Sequence, residues 1–158
     1  MRSSIDSRGR YRRMRRRLGT LVSLRPADWH VLLEACVTLV AVKLGLHTVE
    51  FKRLMSWASR VNPGVAGDLS RQQIERTAWL VGVASRVTLM RCLARSLALT
   101  RVLARRGVPT TMRIGVRTLN GTLMAHAWVE WRGRALGDDE RSLQQFAPFE
   151  SLEGLSKA

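Results

Sequence analysis

The stretch "TTMRIGVRTLNGTLMAHAWVEWRGRALGDD", residues 110–139, decides the fold. It opens with alternation: Met112, Ile114 and Val116 share one face and Arg113 and Arg117 the other, the period-2 pattern of a strand. Asn120-Gly121 follows, the strongest short-range hairpin signal. The second run, "TLMAHAWVEW", puts His126, Trp128 and Glu130 on one face and Ala125, Ala127, Val129 and Trp131 on the other. Gly133 then turns the chain into a third run, "RALGDD". The pattern predicts a small antiparallel meander.

The third run returns beside the second, so an aspartate comes opposite His126. A two-residue loop, Arg132-Gly133, pairs Trp131 with Arg134 and sets Asp139 there. A three-residue loop from Trp131 to Gly133 pairs Glu130 with Arg134 and sets Asp138 there instead. Gly133 as the left-handed residue of a bulge suits the longer loop. Strand parity alone leaves both open.

Working outward toward the N-terminus, the chain is helical in pattern. "RPADWHVLLEACVTLVAVKLGL" carries Pro26 and Asp28 as start signals before a long apolar helix. "VEFKRLMSWASRV" continues helically and stops at Asn62-Pro63-Gly64. Ser70 is an N-cap for a helix running to about residue 87. "CLARSLALTRVLARRG" begins another helix near Cys92 and stops at Gly107. Helices first and a meander last make an α+β arrangement.

Composition narrows the class. A chain of 158 residues with 46% hydrophobic content is one globular domain rather than a disordered segment. The formal net charge of +15 is concentrated in "RGRYRRMRRR", residues 8–17, which holds seven arginines. Such a block repels itself, so residues 1–19 are read as a solvated, disordered basic tail and residues 20–158 as the domain. Met14 lies inside the tail and is a second possible start. The apolar run 31–46 is broken by Glu34 and Lys43 and falls short of the roughly 20 residues a spanning helix needs, so it reads as a core helix. Charge alone would favour a nucleic-acid-binding module. Against that, the five tryptophans are scattered through apolar runs rather than set on a basic platform.

The two cysteines, Cys36 and Cys92, form no CxxC pair, and the three histidines are scattered. Neither a disulfide framework nor a zinc site follows, and lone thiols without a signal peptide point to a reducing cytoplasm. Cys36, among Val, Leu and Ala, reads as an inert core residue. His30 and His47 read as packing or surface residues. Cys92 differs, because a helix N-terminus favours a thiolate over a thiol. A cysteine nucleophile, a histidine base and an orienting carboxylate are the minimum for acyl-transfer chemistry. The backbone N–H of Cys92 is also a candidate donor to a developing oxyanion.

The segment from Cys92 to Asp139 resembles the transglutaminase-like cysteine proteases of lasso-peptide biosynthesis, which remove the leader from a precursor peptide. The matching pieces are "CLARSLAL" at 92–99, "RRG" followed by "RIGV" at 113–116, and "AHAWVE" at 125–130. The helical region from "RPADWHVLLEA" onward is similar to the stand-alone form of that protein. The resemblance implies a transglutaminase-like or papain-like core, with Cys92 as nucleophile, His126 as base and Asp138, not Asp139, as acid. It implies no metal or organic cofactor. Fused members carry a precursor-recognition domain for which this chain has no room. The implied partners are therefore the leader-bearing precursor, a separate small recognition protein and an ATP-dependent lasso cyclase, in a bacterial cytoplasm. Acyl transfer to an amine, as in true transglutaminases, would use the same three residues. Nothing in the family pattern accounts for the arginine tail.

Overall fold

The computed structural model describes residues 25–62, 64–65, 68–119 and 121–148. The basic tail over residues 1–19 lies outside them. Among the described residues, the chain divides between His30 and Val31 into two units. At the edge of the first, the Arg25 N–H donates to Asp28 Oδ2 and the Asp28 N–H to the Arg25 carbonyl, both at 2.8 Å. With Pro26 at the first helical position, where its missing N–H costs nothing, this closes the start of the first helix as expected.

Helix α1 spans Pro26–Thr48, 23 residues. It outruns the apolar run 31–46, and by length and composition it is apolar enough to cross a membrane, which revises the expectation of a run too short to span. One side nevertheless enters the core, where Ala35, Leu39 and Val42 have no exposed surface. Cys36 packs half-buried against that core, as its apolar neighbours predicted. Helix α2 (Phe51–Ser59) adds Leu54 and Ala58 to it. Helix α3 (Arg71–Val87) opens on a capping box: the Gln73 N–H donates to Ser70 Oγ at 3.3 Å, and the Ser70 N–H donates to Gln73 Oε1 at 2.8 Å. Each side chain satisfies a backbone donor the helix cannot.

Helix α4 (Cys92–Arg105) is the centre of the domain, with Leu97, Ala98, Val102 and Leu103 fully buried. Its charged residues escape burial by taking fixed partners. Arg101 donates to the Trp57 and Arg60 carbonyls at 3.3 and 3.1 Å and lies over the Trp57 ring. Burial, then the like charges of Arg105 and Arg60, hold the Arg101 guanidinium below its ordinary pKa. At the C-terminal end, Arg106 pairs with Glu34 of α1 at 2.6 Å.

The sheet is antiparallel with strand order β3-β2-β1-β4, where β1 is Thr111–Leu119, β2 Thr122–Trp131, β3 Arg134–Ala135 and β4 Ala147–Pro148. The β1–β2 hairpin forms as the Asn-Gly signal predicts, with Leu119 opposite Thr122 and His126 opposite Gly115. Two expectations need correction. The third run pairs for only two residues, and its loop is the shorter one: Trp131 pairs with Arg134 and Glu130 with Ala135. Arg132 and Gly133 both take positive φ, 50° and 75°, the conformation of a two-residue I′-type turn, whose twist matches the flanking strands. The bulged three-residue loop does not form. Beyond it lie two short elements the sequence did not announce, helix α5 (Glu140–Leu143) and strand β4. β4 can pair beside β1 because residue 115 is glycine: a Cβ there would stand 2.9 Å from the Ala147 carbonyl oxygen and 3.0 Å from the Trp128 ring.

Candidate active site

The α4–β2 contact assembles the site. Cys92 is the first residue of α4, and its N-cap, Arg91, makes no side-chain capping hydrogen bond. The N–H groups of the first turn are therefore not capped by that side chain, and the positive end of the helix dipole lies at the thiol's own position. Cys92 is a free, half-buried thiol. One turn further along, buried Ser96 donates its hydroxyl to the Ala127 carbonyl on β2 at 2.9 Å. That bond fastens the head of α4 against the strand next to His126.

His126 stands on the β2 face that alternation assigned to it, together with Trp128 and Glu130. Its ring stacks on Trp128 with centroids 6.3 Å apart and meets Phe146 at 5.4 Å. Trp128 Nε1 donates in turn to Glu130 Oε1 at 2.9 Å, and Arg117 lies over the Phe146 ring. Two aromatic neighbours thus pack against the imidazole and favour particular ring orientations.

Asp138, not Asp139, faces this ring: its Oδ1 lies 3.7 Å from His126 Nε2. The two-residue loop would set Asp139 opposite His126 if the ladder continued, and the ladder does continue through the Leu136 N–H, which donates to the Val129 carbonyl at 2.8 Å. Gly137 then breaks it with φ +74°, a left-handed conformation that turns the next residue inward. Asp139 goes elsewhere, to the N-cap of α5, where its Oδ2 accepts from Ser142 Oγ at 3.0 Å. The bulged-loop argument for Asp138 fails, since the loop has two residues; the approach of Asp138 to His126 follows from the turn at Gly137 instead.

The geometry adds a group the sequence reading passed over. Arg95 Nη2 donates to Asp138 Oδ2 in a close ion pair. The two oxygens of one carboxylate are therefore divided between Arg95 and His126. The only signal for Arg95 in the sequence is its spacing, three residues after Cys92 in an otherwise apolar turn.

His30 and His47 are exposed on α1. A depression lined by Glu50, Lys52, Arg53, Ser56, Trp57 and Arg60 holds none of the site residues. Among the described residues, no group of three or more His, Cys, Asp or Glu is placed to hold a metal ion. His126 Nε2 points to the carboxylate, which leaves Nδ1 for a thiol. No hydrogen bond joins Cys92 to His126 among the described residues. Chemically, a half-buried thiol at a helix N-terminus, on a helix fastened to the strand that carries an imidazole with a carboxylate partner, has the groups that nucleophilic acyl transfer requires.

A model of the transglutaminase-like superfamily matches residues 36–151, which takes in α1 from Cys36, all of α2 to α5 and the whole sheet. No curated protein and no solved structure matches the chain.

Proposed function

The chain belongs to the transglutaminase-like superfamily, which generally contains enzymes of cysteine-protease type, and from that premise we propose a leader peptidase that acts on a lasso-peptide precursor. The observation that carries the catalytic part is the contact of Asp138 with His126 on the strand held against the Cys92 helix. The lasso-peptide part rests on the resemblance of the segments around Cys92, Ile114 and His126.

The proposed reaction is stepwise. Cys92 Sγ attacks the carbonyl of the scissile peptide bond while His126 takes the thiol proton. The backbone N–H groups at the head of α4 offer donors to the oxyanion. Collapse of the tetrahedral intermediate breaks the C–N bond, and His126 returns the proton to the departing amine. This leaves the leader's acyl group on Cys92 as a thioester. Water, deprotonated by His126, then adds to that thioester, and the leader leaves as a carboxylic acid with the thiol restored. Asp138 fixes the imidazole tautomer and stabilises its charged form throughout.

A separate small leader-binding protein and an ATP-dependent cyclase complete the proposal, in a bacterial cytoplasm. A tethered leader raises the effective concentration of the scissile bond, commonly into the mM range for a short tether. The test is mass spectrometry of precursor incubated with this protein, with and without the binding protein. Slow cleavage alone and fast cleavage with the partner are expected. Full speed without it would mean that this chain reads the leader directly. The superfamily also admits acyl transfer, so a primary amine is included in the assay. Amine-capped leader in place of the free acid would replace the peptidase reading with a transferase.

A further inference from the structure

We propose that Arg95 is a positioning residue of this site: from the helix that carries Cys92, it anchors Oδ2 of Asp138 so that Oδ1 faces His126. This inference rests on the cysteine-peptidase reading above.

The argument begins with what the backbone can and cannot fix. The Leu136–Val129 hydrogen bond and the left-handed Gly137 place the Cα of Asp138. They do not set rotation about its side-chain bonds. Among the described residues, the carboxylate has two recorded partners, Arg95 and His126. At 3.7 Å the histidine contact is longer than a hydrogen bond, so it does not orient the carboxylate by itself. The arginine contact is the close one, and it is charge-assisted. Both of its side chains are mostly shielded, with 22% of Arg95 and 16% of Asp138 exposed, so the pair is less weakened by solvent than a surface pair.

Arg95 has a further property that a distant arginine would lack. It lies one helical turn from Cys92, and Ser96, its neighbour, ties the same turn to the strand beside His126. Nucleophile, acid and base are thereby referred to one rigid segment. The planar guanidinium holds the carboxylate by direction as well as by charge, which a lysine ammonium does less well. The opposite role, a competitor that draws Asp138 away from His126, makes the opposite prediction about rate.

The test uses the full chain with Cys36→Ala, so that Cys92 is the sole thiol, and measures its alkylation by iodoacetamide from pH 5 to 9. A thiol paired with an imidazole keeps reacting at pH values where an isolated thiol does not. Asp138→Asn and Arg95→Met are each expected to slow alkylation at pH 6 by about tenfold, within the coupling range of residues that share one network. The double variant should be no slower than Asp138→Asn alone, because Arg95 acts through that carboxylate. Arg95→Lys should restore part of the loss. If Arg95→Met does not fold, as judged by circular dichroism, the same cycle is run with Arg95→Lys and expects a smaller, equally non-multiplicative loss. Losses that multiply, or faster alkylation in Arg95→Met, would overturn the proposal. Asp138→Asn slowing alkylation while Arg95→Met does not would remove the role of Arg95 and leave the peptidase reading standing. An unchanged profile in Asp138→Asn would remove both.

Discussion

The two helices that carry the cysteines make the most instructive contrast in the molecule. Helix α1 is apolar on both sides: Ala35, Leu39 and Val42 have no exposure, yet Leu33, Val37, Val40 and Leu44 are 66%, 62%, 50% and 61% exposed. Helix α4 has a clear division, with a buried apolar body and arginines at 95, 101 and 105 that each contact a particular partner. A helix with apolar residues on both sides, and only Glu34 and Lys43 to interrupt its apolar run, carries a weak instruction about which side faces the core. A helix with more charges among apolar residues carries a stronger one, because each charge must reach solvent or a counter-ion. Cys36 sits mid-helix in the first and Cys92 at the N-terminus of the second. The same thiol is therefore packing material in one place and a candidate nucleophile in the other.

The sharpest way to break this contrast is to remove each sulfur. Cys92→Ala should abolish leader removal, measured by mass spectrometry of the precursor, while circular dichroism stays native. Cys36→Ala should retain activity. Equal inactivation of two folded variants would end the distinction between the helices.

The next effect concerns the carboxylate tied to α4. Asp138→Asn should lower the cleavage rate by on the order of 10⁴, the loss typical of an orienting carboxylate in such a triad. Asp139→Asn should leave the rate close to native, because that side chain bonds Ser142 at the start of α5. A larger loss in Asp139→Asn would show that the strand ladder continues past Gly137 in the working enzyme.

Stability effects come after these. Leu39→Ala, on the buried side of α1, should cost about 2–5 kcal/mol in denaturant unfolding, the range for a truncated core leucine. Val40→Ala, one residue on and half exposed, should cost a small fraction of that. Comparable losses would mean that both sides of α1 are covered in solution.

Gly137→Ala sharpens the comparison further, since it strains a left-handed backbone at the approach to the site. It should cost about 1 kcal/mol of stability and a further loss of rate through displaced Asp138. Gly121→Ala, with φ +77° in the β1–β2 turn, should cost similar stability with the rate unchanged. Equal rates in the two variants would sever Gly137 from the placement of Asp138. Smallest of all is the stability change in Cys36→Ala, expected at about 1 kcal/mol or below for a half-buried small side chain.

What the sequence determined by itself was whatever depends on neighbours a few residues away. The Ser70–Gln73 box, the Asn120-Gly121 hairpin, the alternation that puts His126 beside Trp128, and Cys92 at a helix start are all local. Their hydrogen bonds and steric preferences are complete within one turn or one strand pair. Tertiary structure decided the rest. The third run makes its last ladder hydrogen bond at Leu136, because Gly137 leaves the ladder and the chain returns through α5 to lay β4 on a side-chain-free Gly115. The choice between Asp138 and Asp139 then turns on one backbone angle, which no count along a strand contains. Arg95 was invisible for a related reason: its partner is 43 residues away, and only the seating of α4 on β2 brings the two together. Local chemistry names the groups, but which of them meet is a property of packing, where one left-handed residue redirects everything after it.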